Sequence, residues 1–189
     1  MDTLLALDRQ LFHLINHLPH NGLTDSLALT LSGIGIYGFI FIGIIFLFFV
    51  REERKDLRFF RMILVIAVLL LFLEQSLKLF FVRLRPDNLA DTIYLGRQLS
   101  DYSFPSGHAM TAFAAAYILA KEEPRWKIGF YVFATLIAIS RVFLGRHYPS
   151  DVLAGSILGT FIGFIVTKVF DRLYRSHTGT NLPQKPKNA

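Results

Sequence analysis

No cysteine occurs among the 189 residues, tryptophan occurs once, and only 18% of the chain is charged. Without cysteine, disulfides, thiolate nucleophiles and cysteine-ligated zinc are all excluded. The shortage of charge bears on class, because 53% of the residues are hydrophobic and 14% aromatic, with 19 Phe. In a soluble domain these would alternate with polar residues. Here they are bunched into runs close to the roughly 20 residues that cross a bilayer, so the chain reads as an integral membrane protein. A basic leader is also lacking, since Asp2 and Asp8 stand where a cleavable signal peptide would carry positive charge. The net charge of +6 would point to nucleic acid in a soluble protein. The basic residues gather instead in short segments between apolar runs, so orientation in the bilayer accounts for them and no nucleic-acid partner is implied.

Taken in order, Thr3 to Leu18 place Leu4, Leu7, Leu11, Leu14, Ile15 and Leu18 on one helical stripe, with Asp8, Arg9, His13 and Asn16 opposite. That pattern suits a helix lying in the membrane interface. Pro19 to Thr24 reads as a turn, and a first span follows over Leu27 to Val50, with Ser32, Gly33, Gly35 and Gly38 allowing close helix contact. Arg51, Arg54, Lys55, Arg58 and Arg61 mark a cytoplasmic segment under the positive-inside rule. The second span, Met62 to Phe81, carries Glu74, Gln75 and Lys78 near its far end, where an ionisable side chain is either functional or paired. A Glu74 to Lys78 pair at i,i+4 is the simpler account of both.

Arg83 to Phe104 forms a polar outer loop. Pro105, Ser106, Gly107 and His108 open a third helix running to about Ala120, short and alanine-rich enough to need shelter from its neighbours. Lys121 to Arg125 returns to the cytoplasm, a fourth span covers Lys127 to Leu144 with Trp126 as its anchor, and a fifth covers Val152 to Phe170. Gly155, Gly159 and Gly163 recur in that last span at the interval that lets helix backbones approach. The expected fold is all-α, a polytopic transmembrane bundle of about five spans plus an N-terminal interfacial helix. Residues 1–174 form one domain, and 175–189 read as a disordered basic tail on the cytoplasmic side. Such a topology brings three polar clusters together on the outer face.

Those clusters share a chemistry. If the second helix continues past its apolar run, Lys78 and Arg85 lie two turns apart near one face. Ser106 and Gly107 at a helix start offer backbone N–H groups and the positive end of the helix dipole, with His108 beside them. Arg141 ends the fourth span, while Pro149 suits the first turn of the next helix and puts His147 just before it and Asp151 just inside. The charged stretch Arg141 to Asp151 alone could be a mere interhelical loop. Two histidines and a carboxylate could bind zinc, but three nearby cations oppose a dication. A proton-coupled transporter would place its charges near midplane, not towards one face. Phosphoryl transfer needs positive charge around the equatorial oxygens, an in-line nucleophile and an acid for the leaving group, and this inventory supplies all three without a metal.

The ordered set Lys78-x6-Arg85-Pro86, Pro105-Ser106-Gly107-His108 and Ser140-Arg141-x5-His147-x3-Asp151 resembles the three signature motifs of the type 2 phosphatidic acid phosphatase (PAP2) superfamily. By that resemblance Lys78, Arg85 and Arg141 bind phosphate with Ser106 and Gly107, His147 attacks phosphorus, Asp151 orients His147, and His108 protonates the departing oxygen. No cofactor and no obligate protein partner are implied. The small size, the opening helix and the outward site look like bacterial undecaprenyl-diphosphate phosphatases of this type, acting at the outer side of the plasma membrane. Phosphatidylglycerophosphate, phosphatidate and lipid A phosphatases share the same motifs. A non-enzymatic lipid-phosphate binder or transporter is the alternative of another class.

Overall fold

The computed structural model describes residues 2–36, 57–96 and 100–178. Regular structure among them is helical: α1 (Asp2–Asn16), α2 (Gly22–Ile36), α3 (Leu57–Phe81), α4 (Gly107–Glu122), α5 (Lys127–Phe143) and α6 (Pro149–Thr178), with 3₁₀ turns at Pro86–Asn88 and Pro124–Trp126. Helix α4 is the axis. It packs most extensively on α6, then on α5, and also meets α2 and α3.

Small side chains explain why α4 can be surrounded. Ala109, Ala112, Ala114, Ala115 and Ala116 are all buried. A Cβ on Gly155 of α6 would sit 2.6 Å from the Ser106 carbonyl, one on Gly159 would overlap the Met110 carbonyl, and one on Gly163 would sit 3.3 Å from that of Ala114. Both rows repeat every four residues, so the two helices meet along matching i,i+4 ridges. On one side Ala112, Ala116 and Leu119 pack against Ala134 and Ile137 of α5. On the other, Met110, Ala114 and Ile118 meet Met62, Ile66 and Leu70 of α3 and Val166 of α6. In lipid, apolar burial contributes little to helix association, and van der Waals fit between such surfaces carries it.

The outer faces are the converse. Leu64, Val68 and Phe72 of α3, Ile128 and Val132 of α5, and Leu153, Ile157 and Phe161 of α6 are exposed, as lipid-facing residues must be. Among the described residues, three stretches are long and apolar enough to cross a bilayer: Arg61–Phe81, Pro124–Phe143 and Pro149–Leu173. Of the five expected spans, these are the second, fourth and fifth. The third, α4, has 16 residues and is sheltered on several sides. The first is helical as far as Ile36, and its remainder to Val50 lies outside the described residues, as does most of the basic segment Arg51 to Arg61.

The structure departs from expectation at the start of α2, at the end of α6 and in the burial of α1. Helix α2 begins at Gly22, within the expected turn, because the Asn21 side-chain oxygen accepts the N–H groups of Leu23 and Thr24, each at 3.0 Å. Helix α6 begins at Pro149, as the proline implies, but is helical through Thr178, beyond the expected boundary of the tail, whose residues 179–189 lie outside the described set. In α1, Leu4, Leu7, Leu11, Leu14 and Leu18 are exposed while Asp8, Phe12 and Asn16 are buried. The leucine stripe thus turns away from the protein, and Asp8 and Asn16, though not the exposed Arg9, turn towards it. Ile15, expected on the leucine stripe, instead packs partly buried beside Phe12 and Val142.

Candidate active site

The site begins where α5 ends. The Arg146 N–H donates to the Arg141 carbonyl at 3.0 Å and the Gly145 N–H to the Val142 carbonyl at 3.0 Å, the paired bonds of a Schellman motif. Gly145 has φ +73°, and a Cβ there would lie 2.6 Å from the Ile93 carbonyl, so both conformation and space require glycine. The reversal brings Arg141, in the last turn of α5, and His147, beyond it, to one end of the bundle. Helix α6 starts at once. Asp151, in its first turn, reaches back so that its Oδ2 accepts the Tyr148 N–H at 2.8 Å, the acidic half of a capping box.

The end of α3 does not follow the expectation that the helix carries on to Arg85. It stops at Phe81, Val82 takes φ +47°, and the chain leaves extended, so Lys78 and Arg85 are not two turns apart. They meet all the same, on Asp101: Lys78 Nζ lies 2.5 Å from Oδ2 and Arg85 Nη2 2.7 Å from Oδ1. Lys78 also pairs with Glu74 at 2.6 Å, as the i,i+4 spacing implies. Arg85 Nε donates to the Asp101 carbonyl at 3.0 Å and Nη1 to the Arg146 carbonyl at 2.7 Å, which ties the first polar cluster to the third.

The second cluster opens α4. Ser106 is its N-cap residue, but the Ser106 N–H is taken by the Asp151 carbonyl at 3.1 Å. That amide is therefore not free for a phosphate oxygen, and the amides of the first helical turn, from Gly107 onward, are the available cradle. A Cβ on Gly107 would collide with the Glu74 carboxylate, which lies at the positive end of α4. Among the described residues, four buried side-chain polar atoms have no hydrogen-bond partner: Ser106 Oγ, His108 Nε2, Arg141 Nε and Arg146 Nε. Such atoms are costly in a fold, and an anionic oxygen would satisfy the three that can donate and accept from the hydroxyl. Arg141 is otherwise held by the Ser32 hydroxyl of α2.

His147 is 2% exposed and its tautomer is set by geometry. Nδ1 lies 2.7 Å from the Ser103 carbonyl, which can only accept, so Nδ1 carries the proton and Nε2 keeps its lone pair. Nε2 is 3.4 Å from Arg85 Nη1. Burial, opposed by Asp151 and reinforced by Arg141 and Arg85, pulls the imidazole down to about 4, so it is neutral at physiological pH. Asp151 Oδ2 stands 3.7 Å from Nδ1, behind the carbonyl contact, and also takes the Ser103 hydroxyl. Asp101 resists its own burial: Lys78 and Arg85 hold its carboxyl below the usual range. His108 sits in the first turn of α4 with its Nε2 buried.

Sequence reasoning missed several members of this network. In the sequence Asp101 and Ser103 fall within a polar loop, with Arg83 as its first residue, and no spacing singles them out. Arg146, 6% exposed with an unpartnered Nε, stood beside His147 without a role. Its only signal was a second arginine in a stretch already crowded with charge. Among the described residues the one grouping of metal-ligating side chains is His13, His17 and Asp91. It lies on the surface of α1 and a nearby loop and includes none of the residues above.

A helical membrane bundle that assembles buried cations, a neutral buried histidine and a carboxylate at one end defines a membrane phosphatase class. The family model described as PAP2 superfamily matches residues 58–175, and the chain belongs to that family. It is a hydrolase fold related to microbial lipid phosphatases. An undecaprenyl-diphosphatase of Sulfolobus acidocaldarius is 32% identical over 163 residues, 85% of this chain and 77% of that one. The crystal structure of Aquifex aeolicus LpxE superposes with TM-score 0.72 at 32% identity, over 86% of this chain and 95% of that one. A transmembrane PAP2 type phosphatidylglycerolphosphate phosphatase from Bacillus subtilis gives TM-score 0.75 at 27% identity, over 92% and 89%. Lipid A phosphatases also match, one from Porphyromonas gingivalis at 36% identity over 53% of this chain and 21% of its own length.

Proposed function

We propose that this protein releases phosphate from a membrane lipid through a phosphohistidine formed on His147. The observation that carries the reading is the state of that imidazole: neutral, its proton committed to the Ser103 carbonyl, its free Nε2 beside the Arg85 guanidinium. Attack by Nε2 on phosphorus makes the N–P bond as the P–O bond to the lipid breaks. Lys78, Arg85 and Arg141, with the first amides of α4, neutralise the equatorial oxygens. His108 delivers a proton to the departing lipid oxygen, and water then hydrolyses the phosphohistidine with His108 as base. Asp151 stabilises the charge that His147 acquires. No step needs a metal, so chelator-treated enzyme is expected to retain most of its activity on a monodisperse substrate.

The substrate reading is a phosphomonoester on a glycerolipid or glycolipid headgroup, of the phosphatidylglycerophosphate or lipid A class, because relatives of both kinds match this chain. A polyprenyl diphosphate is the second reading, favoured by the relative from Sulfolobus acidocaldarius and by Arg146, a fourth buried cation beyond the three signature ones. We place the protein in a bacterial plasma membrane with this site on the outer side. Phosphate release by the purified protein in liposomes, from a panel of phosphatidylglycerophosphate, phosphatidate, lipid A and undecaprenyl diphosphate, tests both readings through the ranking of kcat/KM. Release from none of them would return the protein to the class of lipid-phosphate binders or transporters.

A further inference from the structure

Arg83 lies outside the residues assigned above, yet its guanidinium makes the shortest charged contact to Asp151. Nη1 is 2.6 Å from Asp151 Oδ1 and 2.6 Å from the Ser150 hydroxyl, and Nη2 is 2.6 Å from Asp8 Oδ2. The same plane stacks over the Tyr148 ring at 4.2 Å. Asp8 in turn accepts the Ser150 N–H at 2.9 Å and the Ser150 hydroxyl at 2.6 Å. One turn on, Phe12 is fully buried against Val142 and Tyr148. Two turns on, Asn16 donates to the carbonyls of Ile93 and Phe143 and accepts the Ile93 N–H, each at 2.9 Å. The inward face of α1 is thus bonded to both sides of the turn that carries His147.

We infer that Arg83 and Asp8 are positioning residues for Asp151, and that α1 is a strap that fixes the reaction's carboxylate from the membrane interface. Asp151 is completely buried, and a buried carboxylate needs a cation and hydrogen bonds to remain ionised in one rotamer. Oδ2 is used by Ser103 and the Tyr148 N–H, so Arg83 is the cation that Oδ1 has. Arg83 is itself aimed by Asp8 of α1. The rigid fork gives arginine its advantage here: its two Nη groups hold Asp8 and Asp151 in one fixed plane, whereas a flexible ammonium joining two carboxylates fixes neither orientation as firmly. The inference rests on the reading that Asp151 serves the His147 reaction.

The test is a mutant cycle on the full chain in liposomes, with the lipid phosphate that proves the best substrate and rapid-quench measurement of phosphohistidine formation. Asp151→Asn tests the underlying reading on its own: unchanged kcat there would defeat that reading and with it the positioning role, whatever the Arg83 and Asp8 variants do. Given a loss in Asp151→Asn, Arg83→Gln is expected to lower kcat by about 10-fold or more with KM changed less than about 3-fold. Arg83→Lys should restore only part of that loss. Combined with Asp151→Asn, Arg83→Gln should cost almost nothing further, because a residue that acts through another is non-additive with it. Asp8→Asn, at the outer end of the network, should show the same pattern more weakly and serves if Arg83→Gln fails to fold. Wild-type kcat in Asp8→Asn and Arg83→Gln, or losses that multiply with that of Asp151→Asn, would overturn the inference.

Discussion

At the scale of the residue, the two histidines differ in what holds them. His147 is fixed by a backbone carbonyl and backed by Asp151, whereas His108 has a buried, unpartnered Nε2. His147→Ala should abolish the covalent intermediate, and peptide mapping of the quenched enzyme under conditions that avoid acid reads this directly. His108→Ala should cost roughly 10² to 10⁴ in rate, as loss of a general acid does, and the cost should shrink for a substrate with a good leaving group. Phosphate mapped to His108 would reverse the assignment. The pH profile follows from burial. Because the folded imidazole titrates at about 4, well below the ~6.5 of an exposed histidine, Nε2 stays available until the solution is quite acidic. The acid limb of kcat/KM is expected near 4, measured with a substrate that does not itself titrate between about 4 and 6.5. The linkage has the same sign: the neutral buried ring contributes stability that is complete above about 6.5 and is lost as pH falls towards 4. An acid limb at 6.5 would show that His147 is solvated in the working enzyme.

At the scale of the element, what the sequence reveals depends on whether the constraint is local. The Gly155, Gly159 and Gly163 row, the Pro149 helix start and the leucine stripe of α1 are local patterns, and each appears in the structure as a packing face, a first turn and an outward surface. The end of α3 at Val82 is different. Nothing in Phe80-Phe81-Val82 breaks a helix, and a β-branched residue is a poor occupant of positive φ. What holds it there is distant: the Ser103 N–H bonds the Arg83 carbonyl at 2.8 Å, and Arg83 and Arg85 are claimed by Asp8, Asp151 and Asp101. Tertiary ion pairs override local propensity, and these lie at sequence separations that no motif spans. The glycine row also gives a test. Gly159→Leu must push α4 and α6 apart at Met110, a cost of about 1–3 kcal/mol or more by analogy with overpacked cores. Thermal unfolding in detergent should show a lower midpoint, while the same change at Gly129, with open space around its Cβ position, should not.

At the scale of the whole molecule, the three signature clusters and α1 converge on one end of the bundle, and the ion pair between Lys121 and Asp171 marks the other. The orientation we propose, with the first end outside, rests on the basic segments of the sequence. Cysteines introduced singly at Arg54 and Asn88, in a chain that has none, should react differently with an impermeant thiol reagent on intact cells. Labelling at position 88 but not at 54 is expected; the opposite pattern would turn the site to the cytoplasm. One feature of that end bears on turnover. Lys78 and Arg85 are already bridged by Asp101, a partly exposed carboxylate held in its ionised form. On the phosphate-binding role proposed for this pair, docking of a phosphate is an exchange of anions, in which the incoming group displaces a tethered competitor and the outgoing one is chased off by it, so that affinity would be surrendered for speed of departure. Asp101→Asn should therefore bind inorganic phosphate more tightly, with a lower inhibition constant and a lower KM, and kcat should fall wherever release of phosphate limits the cycle.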